Sequence, residues 1–143
     1  MKLDKGTARN LFICCGAFYI SSWVAYPLDF VYWKLTDRII YHGEFAGAVG
    51  MPFVRTAVHA LVAFGTGAAI ASLVDSERPL RWAIFLAVLY VFFGTFGYHW
   101  ARQPSSLDRL AQLIGPVLMG ISCLGGAMFA IRRLAHPQRN ANS

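Results

Sequence analysis

The sequence predicts an all-α integral membrane protein, a bundle of four transmembrane helices in an up-down-up-down arrangement. Four uncharged runs of about 20 residues each are long enough to cross a hydrocarbon core of ~30 Å. They cover residues 10–28, 56–74, 82–101 and 110–131. The composition agrees, because 57% of the residues are apolar and only 14% are charged, whereas soluble domains carry about 25% charged residues. Short connections between the runs favour antiparallel neighbours within one membrane domain, residues 1–143.

The first predicted span covers residues 11–33 and ends in interfacial aromatic residues. Pro27 lies inside it and is expected to kink the helix or to end its regular part. Residues 34–49 are then expected to form the longest external connection, part of which lies along the membrane surface as an amphipathic segment. The second predicted span covers residues 50–74.

The third and fourth spans carry their own boundary signals. Trp82 and Trp100 bracket the third span, residues 82–100, at a separation close to the thickness of the hydrocarbon core. Ser105 and Asp108 form a capping box that opens the fourth span, residues 110–131. The adjacent Gly115 and Pro116 are expected to bend that helix.

Small residues at intervals of about four positions predict close helix packing, because they let backbones approach where lipid gives no hydrophobic drive. The stripes are Ala17, Ser21 and Ala25; Ala60 and Ala63, then Gly67 and Ala71; and Ser122, Gly126 and Ala130. We expect these stripes to pack within one chain, with a homo-oligomer as the alternative.

The basic residues predict the orientation. Eight lie on the side that holds both termini, namely Lys2, Lys5, Arg9, Arg78, Arg81, Arg132, Arg133 and Arg139. Four lie on the other side, namely Lys34, Arg38, Arg102 and Arg109. Positive charge favours the cytoplasmic side, so we expect a multi-pass plasma-membrane protein, typical of a bacterial inner membrane, with both termini cytoplasmic. Since the charges flank apolar runs, we interpret the net charge of +6 as contact with the lipid bilayer, not with nucleic acid.

An intramembrane polar cluster is the main candidate site. Its members fall in the outer half of the predicted spans: Asp29, Arg55, His59, His99 and Gln112. A charged group within a membrane normally faces a partner or a water-filled cavity. Asp29 is expected to pair with Arg55, and His59 lies one turn deeper on the same face. In the alternative interpretation, Arg55 reaches outward to headgroups and Asp29 already lies in the interface.

No cofactor and no metal site are expected. His59 and His99 lie at different depths, which disfavours a haem held between two spans. Cys14 and Cys15 resemble, in that dipeptide alone, the vicinal pair in the first span of small mercuric-ion transporters, and the second cysteine pair that such transport needs does not occur in this sequence. Cys123 is expected at mid-depth, out of reach of the pair. We interpret the three thiols as buried and inert.

Two function classes fit these patterns. In the first, the protein is a non-catalytic accessory subunit or an immunity-type partner of another membrane component, which it contacts through Asp37, Arg38 and Glu44 of the external connection. In the second, it is a small transporter, channel or ligand-binding protein that uses the Asp29, Arg55 and His59 site from outside. An enzyme is a third, less favoured class, because the cluster has no identifiable nucleophile or metal set.

The topology is directly testable. Because positive charge is concentrated on one side, a reporter fused after residue 143 should report the cytoplasm, and one inserted within residues 34–44 should report the exterior. An external C-terminus would overturn the orientation and would place the polar cluster in the inner half of the membrane.

Overall fold

The structure is a computed structural model that describes residues 4–41, 45–74, 78–97 and 106–140. Within these ranges the chain forms four α-helices. They are α1 (Lys5–Tyr41), α2 (Phe45–Leu73), α3 (Pro79–Gly97) and α4 (Ser106–Asn140). The predicted four-helix, all-α chain is confirmed for the described residues, and each helix covers all or most of one of the four uncharged runs.

Helix α1 is longer than the first predicted span. It continues without interruption through Pro27 to Tyr41, a length of 37 residues or about 55 Å. Of the two alternatives expected at Pro27, an end of the regular helix is therefore wrong, and a kink stays a prediction. Most of the predicted external connection at residues 34–49 is also helical, divided between the end of α1 and the start of α2. The physical reason is that no glycine or proline follows Pro27 until Gly43, so nothing in the sequence breaks the helix there.

Helices α2 and α4 form the most extensive contact, and at its centre the two backbones touch. A Cβ atom added at Gly67 would overlap the carbonyl group of Cys123, at 2.7 Å from its carbon atom. A Cβ atom added at Gly126 would overlap the carbonyl group of Phe64 in the same way, at 2.8 Å from its carbon. The contact is thus reciprocal, and it confirms that Gly67 and Gly126 permit close packing within one chain.

Helix α3 packs on α4 through a second pair of small residues. A Cβ atom added at Gly94 would lie 2.9 Å from the ring of Pro116, and one added at Gly120 would lie 3.1 Å from Val91. Buried side chains from all four helices fill the space beside these contacts: Cys14, Ala63, Ile70, Val74, Leu86, Ala87, Tyr90 and Cys123. Ala71, Ala83, Ala127 and Ala130 form a second buried cluster. Helix α1 contacts α2 and α3.

The outer surface of the bundle is strongly apolar. Phe12, Leu61 and Leu113 are 80%, 71% and 70% exposed, and many other large apolar side chains on all four helices share this exposure. Within the described residues, the stretches Arg55–Leu73 of α2 and Leu113–Leu134 of α4 are each long and apolar enough to cross a membrane, and Pro79–Thr95 of α3 is a shorter apolar helix.

The glycine contact between α2 and α4 makes a prediction with internal controls. Gly67→Ala and Gly126→Ala should each lower the free energy of unfolding by about 2–3 kcal/mol, because a methyl group there forces two backbones apart. Gly65→Ala meets no atom within 4 Å, and Gly125→Ala makes ordinary contact with the Phe64 ring, so each should change stability by less than about 1 kcal/mol. Thermal unfolding of the purified variants in detergent measures this difference. Equal effects of neighbouring glycines would contradict the backbone contact.

Candidate functional site

A cavity of about 260 Å³ lies between the helices. Helix α1 lines it with Phe18, Ser21, Ser22 and Ala25, and α2 with Arg55, His59 and Val62. Helix α3 adds Tyr90, Phe93 and Gly94, and α4 adds Met119. The cavity is a cleft with an open side, so a molecule can enter it without unfolding the bundle.

One end of the cavity carries two basic side chains. Arg55 and His59 are four residues apart on α2, and this spacing places both side chains on one helical face. Both are half-buried, and both make further interactions within the protein. A guanidinium group carries five N–H donors in a planar fork, so Arg55 can hold a protein partner and still present donors to the cavity.

The other end of the cavity rests on a hydrogen-bond network that joins three helices. The Tyr90 hydroxyl of α3 donates to Ser21 Oγ of α1 at 2.6 Å, and Ser21 Oγ donates to the Phe18 carbonyl at 2.7 Å. Thr66 of α2 lies beside the same Tyr90 hydroxyl and donates to the Val62 carbonyl at 2.8 Å. The network fixes the Tyr90 ring between α1 and α2 at the inner end of the cavity.

The serine and tyrosine hydroxyl hydrogens at the cavity are already committed to protein acceptors. Ser22 Oγ donates to the Phe18 carbonyl at 2.9 Å, the same carbonyl that accepts from Ser21. The hydrogen of Tyr90 is used by Ser21. Because each hydroxyl has a single hydrogen, these groups offer lone pairs to the cavity and no further donors.

Aromatic rings form one wall of the cavity. Phe18 of α1 packs edge-on against Tyr90 with ring centroids 5.3 Å apart, and lies 5.4 Å from Phe93. Both separations are within the range of favourable aromatic pairs. With Val62 and Met119, the rings make this part of the cavity apolar.

The predicted cluster is only partly within the described residues. Arg55 and His59 are brought to one cavity. Asp29, Asp37, Arg38 and Gln112 belong to helices, but their side chains lie outside the described part of the structure, as do His99 and Glu44 entirely. The Asp29–Arg55 pair and the partner surface therefore stay predictions.

The residues of the Tyr90 network are not among the predicted site residues. Tyr90 stands in the middle of an apolar run, where a buried phenol needs a hydrogen-bond partner, and that requirement was the signal that could have identified it. Ser21 belongs to one of the predicted packing stripes, and Thr66 belongs to none. Both place hydroxyl groups beside the Tyr90 phenol.

The cysteines differ from their predicted arrangement in one respect. Cys15 is exposed, not buried, because it lies about 100° around α1 from the buried Cys14. Cys14 Sγ and Cys123 Sγ lie 3.9 Å from the carbonyl oxygens of the consecutive residues Trp82 and Ala83. Both buried thiols therefore lie beside the start of α3, and Cys123 shares a buried cluster with Cys14. The reason is register, since the middle of α4 faces the first turns of α3 when α4 continues to Asn140.

No metal site is formed by the residues whose side chains are described, among which no three His, Cys, Asp or Glu residues share a position suitable for an ion. Comparison with family models, with curated proteins and with solved structures gives no match to this chain. The site must therefore be interpreted from its own geometry.

The hydrogen bond between Tyr90 and Ser21 predicts that the stability effects of substituting these two residues are not additive. Ser22 does not bond to Tyr90 and serves as the matched control. Ser21→Ala and Tyr90→Phe should each destabilise the protein, and the double variant should cost about 0.5–1.5 kcal/mol less than the sum, because the two hydroxyl groups bond to each other. Ser22→Ala removes a bond to the same Phe18 carbonyl but does not involve Tyr90, so its effect should add to that of Tyr90→Phe. Thermal unfolding of the five variants measures both couplings. A coupling of Ser22 as large as that of Ser21 would contradict the network.

Proposed function

We propose that the chain is a four-pass membrane protein that binds an amphipathic small molecule in the cavity between its helices. The membrane assignment is supported by the exposed apolar surface. In the apolar stretches of α2 and α4, only 22% and 44% of the residues are buried within the fold. A core helix of a soluble protein would be mostly buried, so these surfaces fit contact with lipid.

The proposed up-down-up-down arrangement is supported by the order of the contacts. Along α2 and α4 the residue numbers rise together, since Thr56 lies near Gly115 and Phe64 packs on Phe129. They also rise together along α1 and α3, where Cys14 meets Trp82 and Ser21 meets Tyr90.

Between α3 and α4 the order is reversed, because Gly94 lies near Pro116 and Ala87 near Gly120. Alternate helices thus run in the same direction and α4 runs opposite to α3. With the positive-inside rule, this arrangement supports the proposal that both termini are cytoplasmic and that the Arg55 end of the cavity faces the exterior of a plasma membrane, such as a bacterial inner membrane.

The observation that carries the ligand-binding proposal is the cavity, with Arg55 and His59 at one end and aromatic and aliphatic side chains elsewhere. Ligand sites are concave, mostly apolar and equipped with a few convergent polar groups. Its volume of about 260 Å³ lies just below the usual range for ligand pockets, so it suits a small molecule or one end of a longer one. The role of accessory or immunity-type partner stays a prediction, since its contact residues lie outside the described side chains.

A cavity-filling variant tests this function. Ala25 lines the cavity, so Ala25→Phe should fill part of it and abolish saturable binding of ten-carbon probes. The probes are 1-decanol, decanoate and decylammonium, each radiolabelled and measured by equilibrium dialysis against protein in phosphatidylcholine nanodiscs. Empty nanodiscs give the background partition of each probe into lipid.

The matched control is Ala69→Phe, which adds the same volume at an exposed position of α2. It should leave binding unchanged. Absence of saturable binding of any probe to the wild-type protein, or equal binding by the Ala25→Phe variant, would refute the proposed ligand site.

A further inference from the structure

The cavity is chemically divided along its length. Arg55 lies at one end of the part of α2 that lines the cavity, and Val62 lies at the other, two turns beyond Arg55 and about one turn beyond His59. The Val62 carbonyl accepts a hydrogen bond from Thr66, which lies beside the Tyr90 hydroxyl. A molecule that fills the cavity therefore places one end against cationic and imidazole groups and its body against apolar side chains.

The hydrogen-bond donors at the cavity indicate which polar group a ligand carries. The hydroxyl hydrogens of Ser21, Ser22 and Tyr90 are all used within the protein. Arg55 also interacts within the protein, but its guanidinium group has five N–H donors, more than one protein partner uses, so it can still donate to a ligand in the cavity. A guanidinium fork binds planar carboxylates through two parallel hydrogen bonds, which favours an acceptor-only, anionic group at this end.

Volume limits the apolar part. A cavity of about 260 Å³ holds about nine groups of the size of a water molecule, each of ~30 Å³. One carboxylate and the first several carbons of a single chain fill this space. A diacyl lipid does not fit inside, and a longer single chain can leave through the open side toward the exposed apolar surface of the bundle.

We propose that the cavity binds single-chain organic carboxylates of the fatty-acid type, with the carboxylate on Arg55 and the first carbons between Phe18, Val62 and Met119. This inference rests on the proposed ligand-binding function and names its ligand class. The carboxylate receives charge-assisted hydrogen bonds from the Arg55 guanidinium group. The hydrocarbon chain of the ligand replaces water along the apolar wall of the cavity. The network at Tyr90 forms the inner end of the cavity.

The same decyl probes test the ligand class, because they share one chain and differ only in the polar end. Decanoate should bind at least about tenfold tighter than 1-decanol, a ratio equivalent to ~1.4 kcal/mol, and decylammonium should bind more weakly than either. Decyl phosphate is included as a fourth probe, since a guanidinium group also binds phosphates. Tighter binding of decyl phosphate than of decanoate would assign the site to phosphate headgroups and overturn the carboxylate inference.

Substitution of Arg55 isolates the cationic end. Arg55→Gln should reduce decanoate binding to the level of 1-decanol and leave 1-decanol unchanged, and Arg55→Lys should give an intermediate loss because the charge remains and the fork is lost. Arg133→Gln is the matched control, because this substitution removes the same charge from the protein. Arg133 is exposed and packs on Phe129, away from the cavity. If Arg55→Gln does not fold, the ranking of probes on the wild-type protein and the Arg55→Lys variant decide.

The outcomes separate the two proposals. Equal affinities for all decyl probes, each lost in Ala25→Phe, would overturn the carboxylate inference while the ligand-binding function stands. Unchanged decanoate binding in Arg55→Gln would likewise overturn it. If no probe binds the wild-type protein saturably, both proposals fail together.

Discussion

The reciprocal backbone contact between α2 and α4 is the constraint on which the rest of the bundle depends. Gly67 and Gly126 each lie under a carbonyl group of the opposite helix, at positions where any side chain would overlap that group. Backbones this close gain dispersion and weak Cα–H···O contacts that do not rely on exclusion of water. With α2 fixed on α4, α3 packs on α4 through Gly94 and Gly120, and α1 is left to contact α2 and α3 by side chains.

The position of α1 explains why a cavity forms there. Small residues recur along α1, but they have three different environments. Ala17 packs against the buried core, Ser21 bonds to Tyr90, and Ala25 lines the cavity. A small side chain permits close approach only if the opposite helix also has a small residue, and the residues of α2 that line the cavity, Arg55, His59 and Val62, are all larger. The same stripe therefore packs at one end of α1 and leaves space at the other.

Much of the fold follows from the sequence because the controlling signal is the run of uncharged residues, which sets the number and type of the helices. The glycine contact was also predictable, since Gly67 and Gly126 each belong to a small-residue stripe. The extent of α1 was not, because Pro27 signals a break, and a proline in a long helix loses one hydrogen bond that its neighbours can compensate. For the site, helical spacing places Arg55 and His59 on one face. The partners of Tyr90 are Thr66 and Ser21, which lie on other helices 24 and 69 positions earlier in the sequence, and no periodicity relates them to Tyr90.

The proposed membrane setting and the proposed ligand site depend on each other physically. In water, a half-buried arginine beside an open cleft is solvated and attracts small anions only weakly, since exposed charge pairs contribute little. Next to lipid, the same guanidinium group has fewer competing water molecules, and a charge-assisted hydrogen bond there is stronger. The hydroxyl network at Tyr90 has the complementary effect, because it satisfies the polar groups at the inner end of the cavity and makes that end tolerant of hydrocarbon. Affinity for an amphipathic anion therefore requires both the cationic group at one end of the cavity and internal satisfaction of the hydroxyl groups at the other.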